Sequence, residues 1–327
     1  MRINKPADKS KNLAISVEAG EKLRNSESSK GSREKKSNNF RELMLEPSEL
    51  LGLFGRSIDK SLSPIIHNGV YQKRGWPAVY LAFSLEPGDL KAALQGIRAL
   101  KFVGINVTNP YKQEVIPLLD ELDQAAGRIG AVNTIQLRRE KLIGYNTDYL
   151  AVKELLADWQ KSAFHPINSA LVLGAGGAAR AVTLACMESG LEKLYLSNRT
   201  RQKAVKLKDD FKNYADCQLM ITEWEIQKQA ENVREVDLVV DATTLGWQGK
   251  LFPGAEKGLQ DNTAVFDLSY GKPVSRLLKL ARKRGCFSED GSRMLLFQAR
   301  EADKIWFADR DDADPEKYFT LDLLPNL

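Results

Sequence analysis

The sequence predicts an α/β protein of two domains, in which an N-terminal α/β domain precedes a Rossmann-type domain and C-terminal helices return to the first domain. Three observations support this fold class. Short apolar runs alternate with segments of helical spacing along most of the chain, as in parallel sheets covered by helices. A glycine cluster at Gly174–Gly177 lies between two apolar runs. Near the end, helical spacing recurs at Met294, Leu295, Ala299 and Trp306.

The glycine cluster has the layout of a dinucleotide-binding β-α-β unit. The apolar run Val172-Leu173 ends in glycines, a helix of small residues follows, and Tyr195-Leu196 closes the unit. Glycine lets the backbone turn tightly and approach a pyrophosphate at the N-terminus of the helix. Because glycine-rich turns also serve packing alone, the interpretation depends on the flanking strands. The predicted cofactor-binding residues of this turn are Gly174, Ala175, Gly176, Gly177 and Ala178.

The end of the second strand of this unit indicates which dinucleotide binds. NAD sites usually carry an acidic side chain there, which holds the ribose 2′-hydroxyl. Here the strand ends in Ser197-Asn198-Arg199-Thr200, and the nearest acid, Glu192, precedes the strand. The planar fork of Arg199 suits a 2′-phosphate, so the predicted cofactor is NADP. The other predicted cofactor-binding residues are Asn198, Thr200 and Thr243.

The charge distribution argues against a nucleic-acid-binding protein. The net charge of +5 lies within residues 1–40 of the 327-residue chain, and the remainder is neutral. The tail over residues 1–46 is polar and basic, and we expect it to be disordered. It lacks the apolar core of a secretory signal.

The cysteines and the hydropathy pattern indicate a reducing, aqueous environment. Cys186, Cys217 and Cys286 are odd in number and widely spaced, which argues against a disulfide framework or a zinc site. No apolar run approaches the roughly 18 to 20 residues of a membrane span. We therefore expect a cytoplasmic monomer or homodimer that acts on a small molecule, without metal, nucleic-acid or membrane partners.

The order of the predicted elements gives the domain boundaries. After the tail, we predict a substrate-binding domain over 47–148, an NADP-binding Rossmann domain over 149–284, and C-terminal helices over 285–327. The first domain is predicted to contain strands at 50–55, 80–83 and 102–108 and helices at 63–70 and 89–100. The second is predicted to begin with a helix at 149–160 and to contain later strands at 218–221, 237–240 and 265–268. The cleft between the domains is the expected place for chemistry.

Four polar segments lie where predicted strands end or helices begin. They are Ser61–Pro64, Asn106–Lys112, Ala131–Thr134 and Gly144–Asp148. Hydroxyls, amides, one lysine and one carboxylate around a cleft suit a small polyhydroxylated acid. A Lys–Asp pair can move the proton that accompanies hydride transfer.

Together these motifs resemble the shikimate dehydrogenase family, including the quinate/shikimate dehydrogenases. The resemblance covers about residues 50–307 and depends on eight motifs in the family's order: S-x-S-P, N-V-T-x-P-x-K, A-V-N-T, G-x-N-T-D, G-A-G-G-A-A-R, N-R-T, D-x-S-Y and M-L-x-x-Q. It implies reversible NADPH-dependent reduction of 3-dehydroshikimate to shikimate, in aromatic biosynthesis. The alternatives are a quinate or related cyclic-hydroxyacid dehydrogenase with relaxed cofactor use, and a non-catalytic ligand-binding regulator.

The resemblance also implies a role for each matching residue. The implied catalytic pair is Lys112 and Asp148. The residues implied to hold the substrate carboxylate are Ser61, Ser63 and Tyr270. Those implied to bind the ring hydroxyls are Thr108, Asn133 and Gln298, together with Asp148.

Four of these residues have a structural interpretation as well. Lys112 can be a solvated lysine after a turn, and Asn133 can satisfy backbone groups in a turn. Asp148 can cap the helix that follows it, and Ser63 can cap the helix that Pro64 opens. The structural and functional interpretations stay open at this point.

The same holds for other polar side chains. Tyr270 can pack across a hinge, and Gln298 can be an amide on a helix surface. His67 is expected to pack structurally on the first helix, whereas His165, before a proline, is expected to be exposed.

The sequence departs from the family pattern near the implied substrate and nicotinamide sites. Lys60 stands where the family usually has His, Ser57 where it commonly has Pro, and Ala151 where it usually has Gly. The segment Thr244–Trp247 replaces the commoner Ser-x-Gly-Met or Leu. Lys60 adds positive charge beside the implied carboxylate site, and Trp247 changes the loop that lies by the nicotinamide in the family. Both departures bear on substrate identity more than on fold or cofactor.

Overall fold

The computed structural model of the chain describes residues 49–161, 166–214, 216–310 and 315–324, all within one compact unit. The predicted disorder of residues 1–46 and the predicted exposure of His165 fall outside the described residues. Within these ranges, no helix is long and apolar enough to cross a membrane.

A mixed six-stranded sheet forms the N-terminal part, in the order β2-β1-β3-β5-β6-β4. Its strands are β1 (Glu49–Gly55), β2 (Ala78–Ser84), β3 (Gly104–Val107), β4 (Glu121–Leu122), β5 (Thr134–Arg138) and β6 (Lys141–Tyr145). β1 pairs in parallel with β2 and β3. β5 runs antiparallel to both β3 and β6, and β4 is parallel to β6.

The second sheet has six parallel strands in the order β12-β11-β10-β7-β8-β9. Its strands are β7 (Ser169–Leu173), β8 (Lys193–Ser197), β9 (Gln218–Ile221), β10 (Leu238–Asp241), β11 (Ala264–Asp267) and β12 (Ser288–Asp290). The chain order reverses beside β7, which lies between β8 and β10. In open α/β sheets, the crevice at such a reversal, outside the carboxyl ends of the strands, is where ligands bind. This is the Rossmann-type arrangement that the glycine cluster predicted.

Ten α-helices in the described ranges cover these sheets. They are α1 (Ser63–Arg74), α2 (Leu90–Ala99), α3 (Gln124–Ile129), α4 (Thr147–Lys161), α5 (Gly177–Glu188), α6 (Arg201–Phe211), α7 (Ile226–Arg234), α8 (Ala255–Gly258), α9 (Arg276–Lys283) and α10 (Ser292–Trp306). Short 3₁₀ helices lie at Ile116–Leu118, Pro315–Tyr318 and Leu321–Leu323.

The C-terminal helix returns to the first sheet, as the sequence predicted. The indole nitrogen of Trp306, at the end of α10, donates a hydrogen bond to the carbonyl of Ile135 in β5 at 2.9 Å. A Cβ at Gly104 in β3 would lie 2.0 Å from that nitrogen, so only glycine admits the indole here. α4 packs against both α5 and α10, which connects the two sheets.

The predicted strands are confirmed, with ends shifted by a few residues, but the predicted cap of α1 is wrong. Ser63 does not cap α1: it is the first residue of that helix, the cap position is Leu62, and no side chain bonds there. Instead, the backbone N–H of Ser63 donates to Ser61 Oγ at 3.3 Å. α4 begins at Thr147, so the predicted domain boundary after Asp148 falls inside its first turn.

The β5–β6 hairpin was absent from the sequence prediction. Its turn places Arg139 and Glu140 at φ of +49° and +65°. Such turns usually carry Asn-Gly or Asp-Gly, so the sequence held no turn signal to predict from.

Candidate functional site

A lysine and a carboxylate from different segments meet beside the first sheet. Lys112 follows the turn after β3, and Asp148 lies in the first turn of α4. Lys112 Nζ donates to Asp148 Oδ2 at 2.5 Å, and the two side chains are only 16% and 7% exposed. Asp148 does not cap α4, because Asn146 Oδ1 accepts the N–H of Tyr149 at 3.0 Å. The Asp148 carboxylate instead accepts hydrogen bonds from Lys112 and from the side-chain amide of Asn133.

Asn133 joins the carboxylate to the C-terminal helix. Its Nδ2 donates to Asp148 Oδ1 at 3.0 Å and lies 3.4 Å from Gln298 Oε1. Its Oδ1 accepts the backbone N–H of Thr147 at 2.7 Å. Asn133 thus satisfies a backbone group, as one sequence interpretation held, and also orients Asp148; its binding to ring hydroxyls stays a prediction.

Buried residues that the sequence analysis did not single out extend this network. Asn106 Nδ2 donates to Thr134 Oγ1 at 3.0 Å, and the Tyr80 hydroxyl donates to Asn106 Oδ1 at 2.7 Å. Thr134 Oγ1 in turn lies 3.1 Å from Thr147 Oγ1. The sequence could have indicated three of these residues, because the polar segments at strand ends contain Asn106, Thr134 and Thr147. Tyr80 lies in an apolar strand, so the sequence gave no indication of its role.

The residues expected to hold a carboxylate come together at the start of α1. Ser61 Oγ and Ser63 Oγ are 3.3 Å apart. Burial raises the pKa of Tyr270 to about 12, although contacts with the Ser61 side chain and the Leu62 backbone oppose the rise. Tyr270, from the segment after β11, therefore faces the serine pair as a neutral hydroxyl.

Thr108 lies after β3 and contacts β1. Its methyl group faces Gly55, where a Cβ would lie 2.4 Å from Thr108 Cγ2. Its backbone N–H donates to Phe54 O at 2.8 Å. No hydrogen bond joins its hydroxyl to another side chain in the described part of the chain.

The glycine turn after β7 reaches the Lys–Asp pair. Gly174 has φ of +112°, which favours glycine, and the cap position of α5 at Gly176 has no side-chain hydrogen bond. A Cβ at Gly176 would meet open space, whereas one at Gly177 would lie 2.8 Å from Lys112 Cβ. An uncapped helix N-terminus with open space before it fits the pyrophosphate of a dinucleotide. The same turn touches the lysine of the first sheet.

The other predicted cofactor residues lie at the carboxyl ends of the strands that flank β7. Leu173, the last residue of β7, pairs with Ser197 of β8 and with Asp241 of β10. Asn198, Arg199 and Thr200 follow β8, and Asn198 Nδ2 donates to Thr200 O at 2.8 Å. Arg199 is exposed and forms no ion pair within the described ranges, so its guanidinium is accessible to a ligand. Thr243 follows β10, and its Oγ1 donates to Asp241 Oδ1 at 2.6 Å.

His67 has the structural role that the sequence predicted. Its ring is fully buried and stacks on Tyr80 at a centroid distance of 4.3 Å. Burial lowers its pKa to about 3, so it stays neutral. Among the described residues, no group of three or more His, Cys, Asp or Glu side chains is arranged to hold a metal ion.

The positions that depart from the family pattern differ in their surroundings. Lys60 is exposed just before the serine pair, and Ala151 is fully buried in α4. Trp247 is 52% exposed, yet its ring packs edge-to-face on Tyr270 at 4.7 Å. The tryptophan therefore touches the tyrosine that faces the serines.

Two family models match the chain in order along the sequence. The shikimate dehydrogenase substrate binding domain matches residues 53–135, and the shikimate / quinate 5-dehydrogenase model matches residues 159–252. The first match runs from the end of β1 to the start of β5, and the second includes β7 to β10.

Known proteins are similar over most of their length. Shikimate dehydrogenase (NADP(+)) of Halothermothrix orenii is 38% identical over 263 residues, covering 79% of this chain and 91% of that protein. The crystal structure of shikimate dehydrogenase from Aquifex aeolicus is 38% identical with a TM-score of 0.70, covering 80% of this chain and 93% of that one. Quinate dehydrogenase from Corynebacterium glutamicum in complex with NAD is 30% identical with a TM-score of 0.73, covering 83% and 97%. This chain belongs to the shikimate dehydrogenase family, as the matched models, the coverage of these relatives and the site geometry show.

Proposed function

We propose that this protein is an NADP-dependent shikimate dehydrogenase, which interconverts 3-dehydroshikimate and shikimate. The observation that carries the proposal is the 2.5 Å pair of Lys112 and Asp148 beside Gly177 of the nucleotide-binding turn. When bound, NADP supplies the hydride acceptor or donor.

The chain's own residues supply the proton chemistry. As the substrate C–H bond gives up its hydride, the O–H proton must leave for a group on the protein. Lys112 and Asp148 form a largely buried pair that can take this proton and return it in the reverse direction. In the direction of reduction, the Lys112 ammonium stabilises the negative charge that develops on the carbonyl oxygen.

The remaining polar groups suit an acid that carries several hydroxyls. The serine pair and Tyr270 offer three hydroxyls at the N-terminus of α1, where negative charge is favoured. Asn133 and Gln298 offer amide groups near the catalytic pair. We propose that the carboxylate binds at the first group and the ring hydroxyls at the second, with Thr108.

A second candidate is quinate dehydrogenase with relaxed cofactor use. The similarity to the Corynebacterium glutamicum quinate dehydrogenase, whose structure contains NAD, favours keeping it. Lys60 and Trp247 also lie beside the candidate site. Arg199 and the lack of an acid at the end of β8 favour the NADP enzyme.

A comparison of rates separates these candidates. Purified protein is assayed with shikimate and with quinate, each with NADP⁺ and with NAD⁺. We expect the highest kcat/KM for shikimate with NADP⁺. A preference for quinate, or for NAD⁺, would replace the first candidate by the second. Tight cofactor binding without turnover of either acid would indicate a ligand-binding regulator.

We further propose a cytoplasmic monomer or homodimer. Cys186, Cys217 and Cys286 are all free thiols, and burial raises the pKa of Cys186 to about 12. Unreactive free thiols are typical of proteins from reducing compartments. Cell fractionation and size-exclusion chromatography with light scattering test the location and the oligomeric state.

A further inference from the structure

Two neighbouring strands of the second sheet end in buried aspartates that make the same local contacts. Asp241, at the end of β10, accepts hydrogen bonds at Oδ1 from Thr243 N at 2.9 Å and Thr243 Oγ1 at 2.6 Å. Asp267, at the end of β11, accepts at Oδ1 from Ser269 N at 2.9 Å and Ser269 Oγ at 2.7 Å. Each carboxylate thus fixes the residue two positions further along the chain.

The two carboxylates are neighbours in an unfavourable setting. Asp241 and Asp267 pair directly in the strand register and are 1% and 0% exposed. Neither forms an ion pair with any residue that the structure describes, and Asp267 Oδ2 has no hydrogen-bond partner there. Two buried like charges without a cation destabilise a fold. Local arrangements that break such rules tend to lie at functional sites.

The turns that these aspartates hold lead to residues of the candidate site. Thr243 leads into Gly246 and Trp247, and Ser269 leads into Tyr270. A Cβ at Gly246 would lie 2.3 Å from Ser269 Oγ and 2.9 Å from both carboxylate oxygens of Asp267. The first turn therefore rests directly on Asp267, and this contact brings Trp247 onto Tyr270.

We propose that Asp241 and Asp267 are a positioning pair that holds the cofactor-side turn at Thr243–Trp247 and the substrate-side Tyr270 at a fixed separation. The inference rests on the proposed function, which assigns these turns to cofactor and substrate. Asp241 touches the cofactor-side turn alone, so its effect falls on cofactor affinity. Asp267 touches both turns, so its effect falls on both ligands.

Substitutions of Asp241 and Asp267 that keep or remove the oxygen that accepts these hydrogen bonds test this role. Asp241→Ala should raise the NADP⁺ Kd and KM about tenfold or more, with the shikimate KM little changed, because two bonds to Thr243 are lost. Asp267→Ala should raise the KM for both ligands. Asp241→Asn keeps an acceptor at Oδ1 and removes one buried charge, so it should restore most of the affinity.

The matched control lies at the opposite end of β10. Asp237 Oδ2 accepts from Ser169 N at 2.9 Å and Ser169 Oγ at 2.8 Å, the same two contacts, but far along the strand from the candidate site. Asp237→Ala should lower stability without changing either KM. Ser269→Ala is a milder variant, which removes one bond to Asp267 and should raise the shikimate KM severalfold.

Calorimetric titration with NADP⁺ keeps this inference separate from the proposed function. If the wild type binds NADP⁺ but oxidises no shikimate, the substrate assignment fails. The Asp241 variants still test the predicted effect on NADP⁺ affinity. If the Asp241 and Asp267 alanine variants have the same KM values as Asp237→Ala, the two aspartates only stabilise the fold and do not position the turns. Failure of Asp241→Asn to restore affinity would overturn the positioning role as well. If Asp241→Ala and Asp267→Ala do not fold, an unchanged shikimate KM in Ser269→Ala would overturn the positioning role.

Discussion

The Lys112 ammonium pairs with the Asp148 carboxylate, and the aliphatic part of the lysine lies against Gly177 of the glycine turn. Lys112→Ala removes the group that stabilises charge on the reacting oxygen and passes on its proton. We expect kcat to fall about 10²- to 10⁴-fold, with little change in NADP⁺ affinity. Steady-state kinetics and calorimetry measure the two effects.

The chain provides a control for this substitution. Lys141 forms an ion pair with Glu121 on the exposed surface. Its length of 2.5 Å equals that of the Lys112–Asp148 pair, but it lies outside the candidate site. Lys141→Ala should leave kcat unchanged. Near-normal turnover in Lys112→Ala would remove Lys112 from the proposed mechanism.

Arg199 is exposed after β8 and is suited to discriminate between the two dinucleotides. Arg199→Ala should raise the NADPH KM about tenfold or more and leave the NADH KM almost unchanged, because only NADPH loses a charge-assisted hydrogen bond. The control is Arg201→Ala, since Arg201 is also exposed but pairs with Glu223 at 2.8 Å. Equal effects of Arg199→Ala on both cofactors would refute recognition of the 2′-phosphate.

Asp241 gives a prediction for the pH dependence of stability. Burial and the neighbouring Asp267 raise the pKa of Asp241 from 3.8 to about 6. Between these pH values the folded protein keeps a proton that the unfolded chain has lost, so the free energy of unfolding falls as the pH rises through the window. The fall attributable to this group is about 3 kcal/mol. Asp241→Asn should abolish it, and urea unfolding across the window should show a growing advantage over the wild type. Parallel stability curves would contradict the prediction.

Single residues were predictable where a polar side chain follows an apolar strand. Lys112, Asn133 and Asp148 carry this signal, and the structure brings them into one network. Tyr80 carries no such signal. Asp241 does follow the predicted strand at 237–240, but its importance, like that of Tyr80, comes from the neighbours it meets across strands. A contact of that kind depends on strand register, which one sequence does not reveal.

At the scale of elements, a buried ion pair joins α1 to α10. Arg74 Nη1 donates to Asp303 Oδ2 at 2.5 Å, and both side chains are almost fully buried. The guanidinium also lies over the rings of Trp76 and Tyr318 at 4.4 and 4.7 Å. Asp303→Ala leaves the arginine charge buried, and we expect it to lower the free energy of unfolding by about 3 to 5 kcal/mol.

A surface pair on the same helix is the comparison for that prediction. Lys73 and Asp322 form an exposed 2.8 Å pair, and Lys73→Ala should cost less than about 1 kcal/mol. The double variant Arg74→Met/Asp303→Leu should lose less stability than the sum of the single losses, since the two side chains interact directly with each other. Chemical unfolding of all variants gives these values, and strict additivity would contradict the pairing argument.

Elements were predictable where apolar spacing and end signals agree. In α2 the buried Leu90, Leu94 and Ile97 follow Asp89 at helical spacing, and the helix was predicted nearly to its ends. β12 is the polar run Ser288–Asp290 at the sheet edge, so it has no apolar signal. Its strand character comes from pairing with β11, a tertiary effect.

The whole molecule depends on how the two sheets are joined, and one buried arginine is central to that join. Arg180 lies near the start of α5 and donates from Nε to the carbonyl of Ile129, at the end of α3. Its Nη2 pairs with Asp210 of α6 at 2.8 Å, and its side chain is 5% exposed. Gly130, which follows α3 with φ of +65°, would place a Cβ 2.8 Å from that guanidinium. The sequence predicted the two sheets from their motifs, but it gave no signal that Arg180 joins them.

Because Asn133 follows Gly130 by three residues, Arg180 also sets the position of the substrate-side network relative to the glycine turn. Arg180→Met removes the bond to α3 and leaves Asp210 without its partner. We expect a loss of about 3 to 5 kcal/mol in the free energy of unfolding. We also expect a fall in kcat of about tenfold or more, since small misplacements of reacting groups are costly.

The control is Arg128→Met, which breaks a second link between the same two helices. Arg128 pairs with Glu188 at 2.6 Å, but its side chain is 30% exposed, so its loss should be smaller and should leave kcat within about twofold of the wild type. Urea unfolding and steady-state kinetics on both variants decide the matter. If Arg128→Met costs as much stability and activity as Arg180→Met, the join between the sheets is spread over their whole contact and does not depend on the buried arginine.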